Sequence, residues 1–340
     1  MPSKKGVNVI QIRVSSKSLQ RFRPRTHRAL ATFVLMPITM LLNSSVAAQE
    51  KKPPFTPSEA RLFLRSTSDA LIEKQREQNK TFWAFRKSVT KEPFPNGKYI
   101  VNGDTPVRTR KELKQFYKQN IVSKSRGVQP EFAVMQVNGV DVLWNAKEKK
   151  NLTYCVSNAA AASGGFGDRY HTVVAAMADA TKAWEQAADI KFVHVTAQDA
   201  MCNASSKTVI FDVRPVNLGY YFARAFFPNE PRVARNLLID NSSFDFPAGG
   251  KLSLTGVLRH ELGHVLGARH EHTRAEAGTC FEDNDWRGVT DYDAMSVMHY
   301  PQCSGKGDWS LTLTDQDKIG IACLYRATGG VAVDPQKCKK

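Results

Sequence analysis

The first 48 residues contain no aspartate or glutamate, and no cysteine occurs before Cys155. The chain has no internal repeat and no low-complexity tract, which excludes a solenoid or a fibrous array. Its most apolar leader stretch, Ala29–Leu42, is 14 residues long with Pro37 inside it, too short to span a bilayer comfortably. None of the six cysteines stands in the close paired spacing of a zinc ribbon. The acid-free start, the short apolar stretch and the small residues Val46-Ala47-Ala48 together read as an export signal over residues 1–48. The cysteines, Cys155, Cys202, Cys280, Cys303, Cys323 and Cys338, then read as structural disulfides formed in an oxidising compartment. Six cysteines allow about 15 pairings. Proximity along the chain favours Cys155–Cys202, Cys280–Cys303 and Cys323–Cys338.

The net charge of +16 suggests a polyanion partner until it is located. Residues 1–48 carry 8 basic groups, residues 49–150 carry 21 basic and 11 acidic, and residues 151–340 carry 19 basic and 21 acidic. The excess therefore lies outside the segment that holds the chemistry, where a nucleic-acid footprint would have to be.

Four regions follow: the leader at 1–48, a basic cysteine-free propeptide or accessory segment at 49–150, a catalytic domain at 151–328 and a tail at 329–340. In the second region, Thr56-Pro57-Ser58-Glu59 opens a helix reaching about Lys87, and Lys98–Val101 is a short strand. Thr109 with Glu112 opens another helix, and Asn138-Gly139 marks a two-residue hairpin within Ala133–Trp144. Lys124–Arg126 and Lys147–Lys150 are candidate cleavage sites. In the third region, strands are expected at 152–156, 190–195, 209–213, 220–227 and 237–239. Helices are expected at 170–188, with Val174, Met177, Thr181 and Trp184 on one face, at 252–266, and at 315–325 behind a Thr314 cap. That pattern is a single α/β domain with one five-stranded mixed sheet, preceded by a small α+β segment.

The stretch His260-Glu261-Leu262-Gly263-His264-Val265-Leu266-Gly267-Ala268-Arg269-His270 carries the chemistry. Residues four apart on a helix share a face, so His260 and His264 can offer ring nitrogens to one Zn²⁺. Glu261 lies about 100° round from His260, beside the metal rather than on it, where it can serve as a base. Leu262, Val265 and Leu266 face the core, Gly267 ends the helix, and the turn returns His270 as third ligand. Three protein ligands leave an open fourth position, which is the catalytic arrangement. His171, His194, His272 and His299 fall outside the ligand pattern and are read as surface or supporting groups.

These eleven residues resemble the extended zinc signature of the metzincins, and Glu271-His272-Thr273-Arg274 is similar to the astacin continuation. Ser296-Val297-Met298-His299-Tyr300 resembles the astacin methionine turn. By that likeness Met298 floors the metal and Tyr300 is a switchable ligand that stabilises the oxyanion. Ala225-Phe226-Phe227-Pro228 is instead similar to the substrate-side strand of matrixins, so the chain resembles a bacterial-type metzincin between the two families. The resemblance implies a zincin fold with an active-site helix and a C-terminal helix. It also implies a secreted, monomeric zinc endopeptidase acting on proteins or peptides, without a nucleic-acid partner or stable membrane association after signal removal. Astacin precursors occupy the zinc with an aspartate that follows a glycine, and Asn102-Gly103-Asp104 resembles that feature. Two other readings are a catalytically silent zinc-containing adhesion or inhibitor module and a DNA- or membrane-surface binder using the basic N-terminal half. Glu261 speaks against the silent module, which needs no base.

All six cysteines are expected to be oxidised in the exported protein. Intact-mass measurement after thiol alkylation without reductant should show no label, and two or more labels would contradict the disulfide reading.

Overall fold

The computed structural model describes residues 81–122, 132–247, 249–277, 280, 282, 285–304, 306, 309–328 and 333–338. The leader, the helix start at Thr56 and the basic cluster Lys124–Arg126 lie outside the described residues. Among the described residues no helix is long and apolar enough to cross a membrane.

The N-terminal segment comprises α1 (Phe82–Ser88), β1 (Thr90–Lys91), β2 (Tyr99–Val101), β3 (Thr105–Val107) and α2 (Arg110–Phe116). The three strands form an antiparallel meander. Thr109 accepts from the Glu112 amide while Glu112 accepts from the Thr109 amide, so the capping box read from the sequence sets the start of α2. Phe85, Tyr99, Val101, Leu113 and Tyr117 form a small core of their own.

The larger body follows the expected order: β4 (Ala133–Val137), β5 (Val140–Asp141), β6 (Leu152–Val156), α3 (Tyr170–Ala187), β7 (Phe192–His194), β8 (Phe211–Val216), β9 (Ala223–Arg224), β10 (Asn236–Asp240), α4 (Leu254–Val265), β11 (Trp286–Gly288) and α5 (Asp315–Tyr325). The main sheet runs β7-β6-β8-β10-β9. Its first four strands are parallel and β9 is antiparallel to β10, giving the mixed five-stranded sheet of the sequence reading. β9 is far shorter than the expected 220–227 strand and stands at the sheet edge. Its apolar neighbours Tyr221, Ala225, Phe226 and Phe227 are buried instead by packing.

On α3 the buried stripe is Val173, Ala176, Met177, Ala180, Thr181 and Trp184, so Val173 rather than Val174 heads it. Trp184 donates its indole N–H to the Arg259 carbonyl at 2.9 Å, locking α3 against α4. The disulfides are Cys155–Cys202, Cys280–Cys303 and Cys323–Cys338, the pairing that proximity favoured. The Asn138-Gly139 turn joins β4 to β5 with φ of 54° and 76°, the left-handed pair a two-residue hairpin requires.

Residues 132–150, grouped by the sequence with the N-terminal segment, pack into the larger body. Phe132, Val134 and Trp144 belong to the main core, and β4 pairs with β11. Trp144 donates its indole N–H to the Val265 carbonyl at 2.8 Å, at the end of α4. Tyr325 on α5 bridges the same region, its hydroxyl meeting the Trp144 amide and the Leu266 carbonyl. Trp144→Ala should therefore destabilise the larger body by about 3–5 kcal/mol, the scale for deleting a buried aromatic. Urea unfolding checks this, and a change within experimental error would place Trp144 outside the cooperative unit.

Candidate metal centre

α4 opens on Ser253, whose hydroxyl accepts from the Gly256 amide. Its inner face is apolar: Leu258, Leu262, Val265 and Leu266 are fully buried. Gly263 permits a close approach there, since a β-carbon would stand 2.3 Å from the Met298 sulfur. Gly267 ends the helix at φ 92°, and a β-carbon there would meet the Val142 carbonyl at 2.4 Å. The chain can turn at this point only as glycine, and the turn returns His270 to the two helical histidines.

The three Nε2 atoms converge. His260 and His264 each place theirs 3.2 Å from that of His270. The opposite nitrogens point outward: His260 Nδ1 meets the Val297 carbonyl and His264 Nδ1 the Ala268 carbonyl, both at 2.8 Å. A carbonyl only accepts, so each Nδ1 carries the proton and each Nε2 turns a lone pair inward. His270 Nδ1 meets Glu282 Oε1 at 2.6 Å, with the same consequence.

Asp104 completes the group. Its carboxylate lies 3.4 Å from His260 Nε2, 3.2 Å from His270 Nε2 and 3.8 Å from His264 Nε2. Three imidazole lone pairs and a carboxylate facing one another in a buried site repel unless a cation lies among them. These four groups could hold a metal ion, and their nitrogen and oxygen donor set suits zinc. Burial alone would lower the pKa of His270, yet the charges of Glu282 and Asp104 raise it to about 10. The potential at this point favours positive charge.

Glu261 is buried beside the group, with Oε2 free of hydrogen bonds. Burial and then the Asp104 charge raise its pKa well above the ordinary carboxylate value, while a backbone hydrogen bond from Ala225 lowers it. Tyr300 donates its hydroxyl to Asp104 Oδ2 at 2.5 Å. Gly103, at φ 87°, lies against the Tyr300 ring, where a β-carbon would come within 3.0 Å of the hydroxyl. Met298 is fully buried beneath α4. Its turn is anchored by Asp317 on α5, which accepts from the Ser296 hydroxyl at 2.5 Å and the Val297 amide at 2.8 Å. The same carboxylate closes the Thr314 capping box, so one residue starts α5 and holds the methionine turn. All eight residues singled out in the sequence lie in this neighbourhood. Leu252, Val257, Trp309 and Leu311 wall an apolar pocket beside His260, Glu261 and Tyr300.

Glu282 was not visible in the sequence. Its Oε1 accepts from both His270 Nδ1 and His272 Nε2, the latter at 3.0 Å. His272 Nδ1 accepts in turn from the Tyr300 amide at 3.1 Å, which places the His272 proton on Nε2. One buried carboxylate thus orients a candidate ligand directly and the Tyr300 backbone through His272. The two histidines pull the Glu282 pKa down against the effect of burial. No spacing rule announces such a residue, which stands in a loop after the motif. His272 and His299 are buried supporting groups, while His171 is exposed and His194 pairs with Asp199 away from the site.

The matrixin family model matches residues 144–277. Among solved structures, high choriolytic enzyme 1, a hatching-enzyme zinc protease from the medaka fish Oryzias latipes, is similar at 19% identity. That likeness has a TM-score of 0.37 and covers 57% of this chain and all of the other. No curated protein matches. The matrixin match spans α4 and the convergent histidines, so this part of the chain is similar to the matrixin peptidases. That likeness supports a zinc metalloendopeptidase.

Glu282→Ala should retain the fold but weaken zinc binding by ~10- to 100-fold, the usual cost of losing a group that orients a ligand. Competition with a chromogenic chelator measures it, and unchanged affinity would reduce Glu282 to a packing role.

Proposed function

We propose that the protein is a secreted endopeptidase made as a latent precursor. His260, His264 and His270 hold zinc, Glu261 is the general base, and the segment ahead of residue 132 is the inhibitory part. The observation that carries this reading is the Asp104 carboxylate set among the three Nε2 atoms and bonded to Tyr300. Zinc held there supplies Lewis-acid polarisation of the scissile carbonyl and lowers the pKa of water towards ~7.

The chain's own groups do the rest. Glu261 takes the proton of the attacking water and passes it to the leaving amine. Its burial supports this role, because a raised carboxylate pKa brings base and water closer in proton affinity. Tyr300 donates its hydroxyl to the oxyanion that develops on the carbonyl oxygen. In the precursor that donor is spent on Asp104, so a single carboxylate occupies both the fourth ligand position and the oxyanion donor. β9 stands at the edge of the sheet, which suits an extended substrate whose backbone pairing tolerates many sequences. The apolar pocket beside Glu261 suits an apolar side chain next to the scissile bond.

Secretion is supported by the leader composition and by three disulfides. Cleavage within the stretch joining α2 to β4, where Lys124 and Arg126 lie, would free the segment while leaving β4 and Trp144 in the larger body.

Initial rates on a quenched peptide, with gels showing the chains uncut, test the reading. Uncut wild-type protein should be nearly inactive, and Asp104→Ala should raise its rate before any cleavage. Adding Glu261→Ala to that variant should abolish activity while leaving about one zinc per chain. A fully active uncut wild type would remove latency, and loss of zinc from the Glu261 variant would remove its role as base.

A further inference from the structure

Asp104 is not the segment's only carboxylate held by the larger body. Glu92, just after β1, is completely buried against β9. Its Oε1 accepts from Arg224 Nε at 2.7 Å and its Oε2 from Arg224 Nη2 at 2.9 Å, a two-pronged fit of guanidinium to carboxylate. Tyr221 adds its hydroxyl to Oε1 at 2.7 Å. The remaining contact, from the Lys98 amide at 2.9 Å, is internal to the segment. Burial would raise the Glu92 pKa, yet Arg224 holds it below its ordinary value.

The other face of Arg224 is fixed by the larger body itself. Its Nη1 donates to Asn236 Oδ1 at 2.6 Å and to the Asn236 carbonyl at 3.1 Å, on the neighbouring strand β10. The guanidinium is therefore held from behind, with the Nε–Nη2 fork aimed out of the larger body. Among the described residues, Glu92 is the only carboxylate bonded to it. Arg224 also sits next to Ala225, whose backbone bonds Glu261, and its charge acts on Glu261. The fork thus stands on the sheet-edge strand, beside the residue whose backbone bonds the proposed base.

We infer that Arg224 and Tyr221 form a subsite for an acidic substrate side chain, and that Glu92 fills it in the precursor. The inference rests on the proposed removal of the N-terminal segment. When that segment leaves, it takes Glu92 with it and exposes a positioned donor set whose anion is gone. A rigid, fork-shaped cation at the cleft selects carboxylate over amide, because only the carboxylate supplies two parallel charged acceptors. A peptide lying along β9 can bring Glu or Asp to this place. The subsite is remote from the bond broken, so its effect falls on how substrate is held and selected.

The test uses full-length protein that has been folded, cut at Lys124–Arg126 and separated from the N-terminal fragment. The probes are quenched peptides in which one Glu, or one Gln, is walked through the positions flanking the scissile bond. At one position kcat/KM should favour Glu over Gln by ~10- to 100-fold, the scale of a hydrogen-bonded charged group. Most of that difference should lie in KM. The ratio should fall close to unity in Arg224→Gln, to an intermediate value in Arg224→Lys, and partway in Tyr221→Phe. If Arg224→Gln fails to fold, the other two variants carry the comparison. A wild-type ratio near unity at every position overturns the acidic subsite and leaves the peptidase reading standing. A preference that survives in the Arg224 variants overturns the assignment to Arg224. Absence of chelator-sensitive cleavage of any peptide overturns the peptidase reading itself.

Discussion

Three imidazole lone pairs are forced to face one another, and the surrounding structure keeps them there. Each ring is pinned from behind: His260 by the Val297 carbonyl, His264 by the Ala268 carbonyl, His270 by Glu282. Withdrawing any pin frees a ring to rotate or change tautomer, which turns its lone pair away. The pins come from three places outside the helix: the methionine turn, the bend after Gly267, and the loop bearing Glu282. Asp317 holds the first by binding Ser296 and Val297. The left-handed Gly267 makes the second. The Cys280–Cys303 disulfide tethers the neighbourhood of the third to the turn after Tyr300. The helix supplies the spacing of the histidines, and these supports supply their direction.

The concentration of acceptors also explains why the N-terminal segment docks as it does. A buried carboxylate placed among three imidazoles requires positive charge at the centre, and the site favours it. Away from the centre the segment is held by ordinary buried polar contacts. Lys98 donates to the Ala234 carbonyl at 2.8 Å, and burial, followed by repulsion from Arg224, lowers its pKa to about 7. Ile100 packs with Tyr221 and Leu238, so apolar contact along the edge of the main sheet adds to the polar set. The segment and the larger body thus meet through complementary polar and apolar groups.

What could be read in advance follows from how far apart the cooperating residues lie in the chain. The histidine spacing, Gly267, both capping boxes, the Asn138-Gly139 hairpin and the α3 stripe are local, and each obeys a short-range geometric rule. Asp104 was legible only through a resemblance, because nothing local to Asn102-Gly103-Asp104 distinguishes a metal-facing carboxylate from a turn. Glu282 and the Glu92–Arg224 pair were not legible at all. Their partners are brought together by the tertiary fold, and an isolated glutamate has no periodicity to give it away. The placement of residues 132–150 was hidden for the same reason. β4 and β5 look like a free-standing hairpin, yet β4 finds its other partner in β11, far along the chain.

The backbone that carries Glu92 folds back on itself. The Glu92 amide donates to the Lys98 carbonyl at 2.9 Å, and the Lys98 amide returns to the Glu92 side chain. Gly97 makes this doubling possible, since a β-carbon there would strike the Glu92 carbonyl at 2.3 Å. The stretch Pro93–Gly97 therefore loops out, and the path between the Arg224 fork and the metal-facing carboxylate is the shorter one through Lys98 to Asp104. A substrate has no such loop and would have to present its acid on a continuous extended strand. On the function and subsite proposed above, Glu92 stands in for the acid of a substrate while Asp104 faces the three histidines. On that same proposal, latency and selection share the same donors, Tyr300 and Arg224.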